Sequence, residues 1–97
     1  MIRTHATRTI DDFGRLLLPI NLRGYVNWKP GDTLVTLVDS GGRMLVLYKT
    51  DAIGMEIDSH GRITITKELM SQLGWEPNSR IRISLRLREE RMVLQKE

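Results

Sequence analysis

The hexapeptide IDDFGR at residues 10–15 returns 47 positions later as IDSHGR at residues 57–62. The two halves of the chain align over 44 residue pairs without a gap, and ten of these pairs are identical. A repeat of roughly 20–50 residues usually marks one supersecondary unit that cannot bury its apolar face alone. Because there are only two copies, we expect each copy to cover the apolar face of the other.

The chain length fits one domain made of these two copies. Ninety-seven residues can enclose one modest core but not two large ones. The sequence therefore predicts a single domain over residues 1–97, with repeat one at residues 1–50 and repeat two at residues 51–97. Repeat one holds seven lysines and arginines against four acids, whereas repeat two holds eight of each. All of the net charge thus lies in repeat one, and we expect an unequal binding face.

Each repeat is predicted to form a strand, a turn, a second strand, a short helix and a β-hairpin. Gly14 and Gly61 lie in the turns, where we expect a positive φ or a site too tight for a side chain. Thr66 is a suitable N-cap, and Asn27 and Gly74 lie where a left-handed residue would end each helix. In repeat two, the first hairpin strand places apolar residues at every second position: Ile81, Ile83, Leu85 and Leu87. These patterns predict a mainly β fold with short helices.

The composition disfavours several classes of protein. The chain lacks cysteine, and its two histidines, His5 and His60, have no partners at a spacing suited to metal binding or nucleophilic catalysis. We therefore expect no enzyme, no cofactor and no metal. No apolar run approaches the roughly 18 residues of a membrane span. We expect a cytoplasmic protein without a membrane partner, and the pI of about 9.7 hints at a polyanionic one.

One ordered set of motifs points to a family. The segment TRTIDDFGRLLLPINLR at residues 7–23, followed by GDTL at residues 31–34, resembles the AbrB/MazE/SpoVT family of DNA-binding proteins. The resemblance covers essentially all of repeat one and, more loosely, repeat two. It implies a swapped-hairpin β-barrel, which the family builds from two interlocked protomers. Here two tandem β-β-α-β-β repeats would supply both halves within one chain.

The resemblance also implies a set of DNA-contacting arginines. By position these are Arg8, Arg15 and Arg23 in repeat one, and Arg62 in repeat two. Repeat two has methionine at the positions equivalent to Arg8 and Arg23. A guanidinium can bind phosphate oxygens or the O6 and N7 edge of guanine. We therefore expect DNA binding to depend mainly on repeat one.

The same arginines also have structural interpretations. Arg15 and Arg62 each follow an aspartate by four residues, Asp11 and Asp58, so each pair could simply brace its turn. The basic stripe of the last hairpin favours a solvated strand edge or face over a DNA groove; its members are Arg80, Arg82, Arg86 and Arg88. Trp28 and Trp75 occupy equivalent positions after the helices, which favours packing over base stacking.

Three functions remain open at this point. The first is a transcriptional regulator that binds double-stranded DNA, with a nucleoid location and two chains associating into a dimer of pseudo-dimers. The second is an antitoxin of the MazE type with a toxin partner; such antitoxins usually carry an acidic tail, whereas this sequence ends with its last strand at Glu97. The third is an interaction module whose DNA face has decayed, as Met55 and Met70 suggest.

Overall fold

The computed structural model describes residues 4–97. Repeat one contains β1 (His5–Thr9), β2 (Arg15–Leu17), α1 (Ile20–Val26), β3 (Thr33–Val38) and β4 (Met44–Thr50). Repeat two contains β5 (Met55–Glu56), β6 (Arg62–Thr64), α2 (Lys67–Leu73), β7 (Arg80–Arg86) and β8 (Arg91–Lys96). Within residues 4–97, no helix is long and apolar enough to cross a membrane.

The strands form a curled antiparallel sheet and a separate two-stranded ribbon. The sheet has the order β1-β7-β8-β4-β3-β5, and the ribbon pairs β2 with β6. Most of these pairings join the two repeats: β1 pairs with β7, β5 with β3, β4 with β8, and β2 with β6. The fold is therefore mainly β with two short helices, and neither repeat completes its own sheet.

Reciprocal backbone hydrogen bonds join each turn to the other repeat. Leu18 N donates to Gly61 O at 3.0 Å, and Ile65 N donates to Gly14 O at 2.8 Å. Both glycines have a φ of 80°, which confirms the predicted positive φ. A Cβ atom at Gly14 would lie 2.9 Å from the carbonyl oxygen of Ile65. The two turns thus need glycine for backbone conformation and for close approach.

Equivalent apolar positions of both repeats meet in one core. Ile10, Leu16 and Leu18 are fully buried together with Ile57 and Ile63 of repeat two. Each such side chain contributes roughly 1.5–3 kcal/mol when it leaves water. The two tryptophans are also buried in this core, which confirms that they pack rather than project for base stacking.

Most local predictions for the elements are confirmed. Thr66 caps α2 by accepting a hydrogen bond from Leu69 N at 3.2 Å, and Asn27 and Gly74 end the helices in the left-handed conformation. The prediction that Leu87 continues the buried side of a strand is wrong. The strand β7 ends at Arg86, and Leu87 enters the turn, where 42% of its surface is exposed.

Candidate nucleic-acid interface

Turn one is organised by a single aspartate side chain. The Oδ1 atom of Asp11 accepts hydrogen bonds from the backbone N–H groups of Phe13 and Arg15, at 2.9 and 2.8 Å. Its Oδ2 atom accepts from Nε of Arg15 at 2.7 Å. The backbone hydrogen bond from Arg15 and the ion pair with its guanidinium lower the pKa of Asp11. The sequence-based interpretation that this pair braces the turn is confirmed.

Turn two repeats the arrangement almost atom for atom. Asp58 accepts backbone hydrogen bonds from His60 and Arg62 at 2.9 and 2.8 Å, and its Oδ2 atom accepts from Nε of Arg62 at 2.9 Å. The backbone N–H of Arg62 is the largest cause that lowers the pKa of Asp58 to about 2. His60 lies beside the arginine, with its Nδ1 atom 3.4 Å from Nη2 of Arg62. Each aspartate therefore orients one arginine through Nε.

The β2–β6 ribbon presents both arginines on its outward side. Leu16 and Ile63 point into the core, so alternation along the strands places Arg15, Leu17, Arg62 and Thr64 on the other side. We call these four residues the ribbon face. Within residues 4–97, the terminal nitrogens of Arg15 make no hydrogen bond to protein, and Arg62 uses one only for His60. Among the described residues, both guanidinium groups thus keep terminal N–H groups without a protein partner, although each is ion-paired through Nε.

The strand register divides the ribbon face into two ends. Arg15 pairs with Thr64, beside turn one, and Leu17 pairs with Arg62, beside turn two. At end one, the guanidinium of Arg15 stacks 4.9 Å from the ring centroid of Phe13, and Lys67 lines the same groove as Phe13. End two has His60 beside its arginine and exposed Ile20 three residues after Leu17. Each end therefore combines one arginine with neighbours from both repeats.

Arg8 does not belong to this face. It shares the core-facing side of the edge strand β1 with Ala6, which packs against the core. Its side chain is half-buried, and Nη1 donates to the carbonyl oxygen of Thr7 at 2.8 Å. The DNA contact expected for Arg8 therefore stays a prediction.

Arg23 does not occupy a position suited to DNA contact. It is 9% exposed, and its Nε atom donates to the Leu18 carbonyl at 2.9 Å while Nη1 donates to the Trp28 carbonyl at 3.3 Å. Its guanidinium lies so close to Gly61 that a Cβ atom there would approach Nη2 at 2.5 Å. These contacts tie the end of α1 to turn two, so Arg23 has a structural role in place of the DNA contact expected from the sequence.

The two methionines in repeat two are structural residues as well. Met70, equivalent to Arg23, is 9% exposed, and its sulfur lies 3.6 Å from the Cβ position of Gly14. Met55, equivalent to Arg8, is partly buried against the core. Met70 gives no support to the interpretation of a decayed DNA face, because its position is buried in both repeats, and that alternative stays a prediction.

The basic stripe of β7 covers the outer face of the sheet. Arg80, Arg82 and Arg86 are exposed, while the alternating apolar residues between them enter the core. Because β7 lies between β1 and β8, the stripe is a face and not a strand edge. Arg80 also pairs with Glu97 at 3.3 Å. The stripe therefore has the properties of the solvated face predicted from the sequence.

Sequence reasoning overlooked four residues around the ribbon face. Leu17 and Thr64 lie on it, and Ile20 and Lys67 begin the helices that follow the ribbon strands. The alternation of Arg62, Ile63 and Thr64 was a usable signal, because residues two apart on a strand share one side. Among the described residues, no group of three or more His, Asp or Glu side chains could hold a metal ion.

Comparisons with known proteins concern the fold. Neither a scan of protein-family profiles nor a search of curated proteins gives a match. Among solved structures, the solution structure of PHS018 from Pyrococcus horikoshii is similar, with a TM-score of 0.52 and 17% sequence identity. The similarity covers 100% of this chain and 91% of that chain. At this level of identity, it supports the fold alone.

Proposed function

We propose that this protein binds double-stranded DNA through its ribbon face and acts as a transcriptional regulator of the AbrB type. The observation that carries the proposal is the pair Arg15 and Arg62. Both lie on the outward side of one ribbon, and each is held at Nε by its own aspartate with terminal nitrogens available. The aspartates orient the guanidinium groups before DNA arrives, which lowers the entropy cost of binding.

The shape of the ribbon supports the same proposal. The major groove of B-DNA, about 12 Å wide, admits a two-stranded β-ribbon. An arginine that enters the groove can donate two hydrogen bonds to guanine, and one that stays at the rim can bind phosphate. The two arginines lie on antiparallel strands, so they would reach neighbouring positions along one groove. The role also implies a nucleoid location and needs neither a cofactor nor catalysis.

The proposal includes a finer description of the fold. The exchange of strands between the repeats is what a swapped-hairpin barrel requires, and the resemblance of residues 7–34 to the AbrB/MazE/SpoVT family is consistent with it. Association of two chains into a dimer stays a prediction, and solution mass tests it. The antitoxin alternative rests on the resemblance alone, and a screen for toxin binding would test it separately.

A gel-shift titration over a range of salt concentrations tests the function. Arg15→Ala and Arg62→Ala should each lower the salt slope by about one if the contact is to phosphate, or cost about 1–3 kcal/mol at certain sequences if it is to guanine. The matched control is Arg86→Ala on the outer face, which should leave affinity nearly unchanged. If Arg86→Ala abolishes binding while both ribbon variants bind normally, the outer face is the DNA surface and the proposal is wrong.

A further inference from the structure

The two ends of the ribbon face carry different chemistry at equivalent positions. Repeat equivalence relates Leu17 to Thr64 and Ile20 to Lys67. Leu17 belongs to end two, and Ile20 begins the helix that follows it; 40% and 77% of their surfaces are exposed. Thr64 belongs to end one, and Lys67 begins the helix that follows it; both are exposed. The arginines are shared, but their surroundings are apolar at one end and polar at the other.

These differences suit different nucleotides. Leu17 offers no hydrogen bond, and an apolar side chain in the major groove can contact the C5-methyl group of thymine. The hydroxyl of Thr64 can bond to several base edges, and the ammonium of Lys67 suits phosphate. A face with two-fold equivalent ends would fit a palindrome, as symmetric dimers do. This face has an equivalent arginine at each end, but the residues around the two arginines differ, so the face lacks two-fold symmetry.

We propose that the ribbon face recognises a non-palindromic duplex in one orientation, with a thymine methyl required at end two and a more tolerant contact at end one. The inference rests on the proposed function. It assigns the specificity at end two to Leu17, together with Ile20. Thr64, together with Lys67, is the counterpart at end one, where several bases are tolerated. Arg15 and Arg62 supply affinity at both ends.

Orientation is measured with a cleavage reagent on a unique thiol, which the cysteine-free sequence permits. Asp12→Cys and Ser59→Cys place that thiol at equivalent exposed positions of turn one and turn two. A binding duplex is selected from a random pool and shortened to the minimum length that still binds one protein chain. Each variant is labelled with iron–EDTA and bound to this duplex. We expect each label to cut at one end of the duplex, and the two labels to cut at opposite ends.

Replacement of thymine by uracil tests the chemistry, because it removes only the methyl group. At the end cut from turn two, we expect affinity to fall about three- to five-fold, as burial of one methyl group implies. At the other end, the same replacement should have a smaller effect, because the methyl group of Thr64 offers less apolar contact than Leu17. Leu17→Ser, which lacks a methyl group, should abolish the sensitivity to uracil at end two, and Thr64→Leu should increase it at end one.

A symmetrised chain supplies the decisive control. Leu17→Thr, Ile20→Lys and His60→Phe together give end two the side chains of end one, and all three positions are exposed. This variant should bind DNA and cut both ends equally from either label. Equal cutting of both ends by the labelled Asp12→Cys and Ser59→Cys chains, or unchanged orientation when the same labels are carried by the symmetrised chain, would overturn the inference while DNA binding stands. Absence of any gel shift by the unlabelled parent chain would overturn the proposed function together with it.

Discussion

Turn one and turn two share a backbone but are covered by different side chains. In both, an aspartate accepts two backbone hydrogen bonds and orients an arginine, and a glycine with a φ of 80° accepts a hydrogen bond from the other repeat. Turn two is covered by the guanidinium of Arg23, whereas turn one is covered by the thioether of Met70. The shared residues therefore build the fold, and the exposed positions that differ are free to serve recognition.

The largest expected effect is the loss of folding when the repeats are separated. A peptide of residues 1–50 lacks the strands that pair with β1 and β2. It should be unfolded or form an obligate dimer, because unpaired strand groups and an uncovered apolar face disfavour a monomer. Circular dichroism and sedimentation measure both properties. A stable folded monomer of this peptide would contradict the interlocked arrangement.

Replacement of either turn glycine by alanine should lower the free energy of unfolding. Gly14→Ala should lower the free energy of unfolding by about 1–3 kcal/mol, because φ is positive and the new Cβ meets a backbone oxygen at 2.9 Å. Gly61→Ala should cost a similar amount, because φ is also positive and the new Cβ would displace the buried guanidinium of Arg23 from its hydrogen bonds to Leu18 and Trp28. Urea denaturation measures both. Gly24→Ala, in helix α1 with open space around it, is the control and should be neutral or stabilising.

Replacement of Arg23 should change stability without changing DNA affinity. Arg23→Met copies the side chain of repeat two but leaves the carbonyl groups of Leu18 and Trp28 without their donor. We expect a loss of about 1–2 kcal/mol in unfolding free energy, and normal DNA affinity for the folded fraction. The exposed Arg43→Met is the control and should change stability by less than about 0.5 kcal/mol. If Arg23→Met lost DNA affinity while its stability stayed unchanged, the result would show that Arg23 contributes to DNA binding.

Acid should weaken turn two only at a pH below the range in which an unpaired aspartate titrates. The folded-state pKa of Asp58 is about 2, below its ordinary value of 3.8, so its contribution to stability is present above pH 3.8 and is lost as the pH falls toward 2. The difference in stability between the parent chain and Asp58→Asn should shrink over that interval. Asp11→Asn should behave in the same way, because the pKa of Asp11 is also lowered.

Urea denaturation at a series of pH values supplies this measurement. The control is Asp12→Asn, because Asp12 lies in the same turn but its carboxylate makes no hydrogen bond within residues 4–97. A difference that stays constant down to pH 2 would show that the charge of Asp58 contributes nothing to the turn.

Local features of the fold could be predicted because their causes are local. Gly14 and Gly61 permit the turns, a threonine caps α2, and a residue tolerant of the left-handed region ends each helix. The effects of these residues reach only a few bonds along the chain. The gapless repeat added one long-range prediction, that each copy covers the other. Leu87 was misplaced because alternation alone does not indicate where a strand leaves the sheet.

The candidate site was predicted only in part. Arg15 and Arg62 were found because the motif repeats, but Arg23 was misjudged. Its burial depends on Gly61, which lies 38 positions away and reaches it only through the exchange of strands between repeats. Charge counting assigned DNA binding to repeat one, and that assignment stays a prediction. The strand register adds that each end of the ribbon face combines side chains from both repeats.

Short-range sterics and periodicity account for the repeat, the element types, the turn chemistry and the identity of the two oriented arginines. Which charges are buried, and which side chains become neighbours, depends instead on tertiary packing. The register of β2 against β6 places Leu17 beside Arg62 and Thr64 beside Arg15. A shift of one residue would turn every side chain of the ribbon to its opposite face. That register arises from the packing of both repeats around a shared core, which no local pattern encodes.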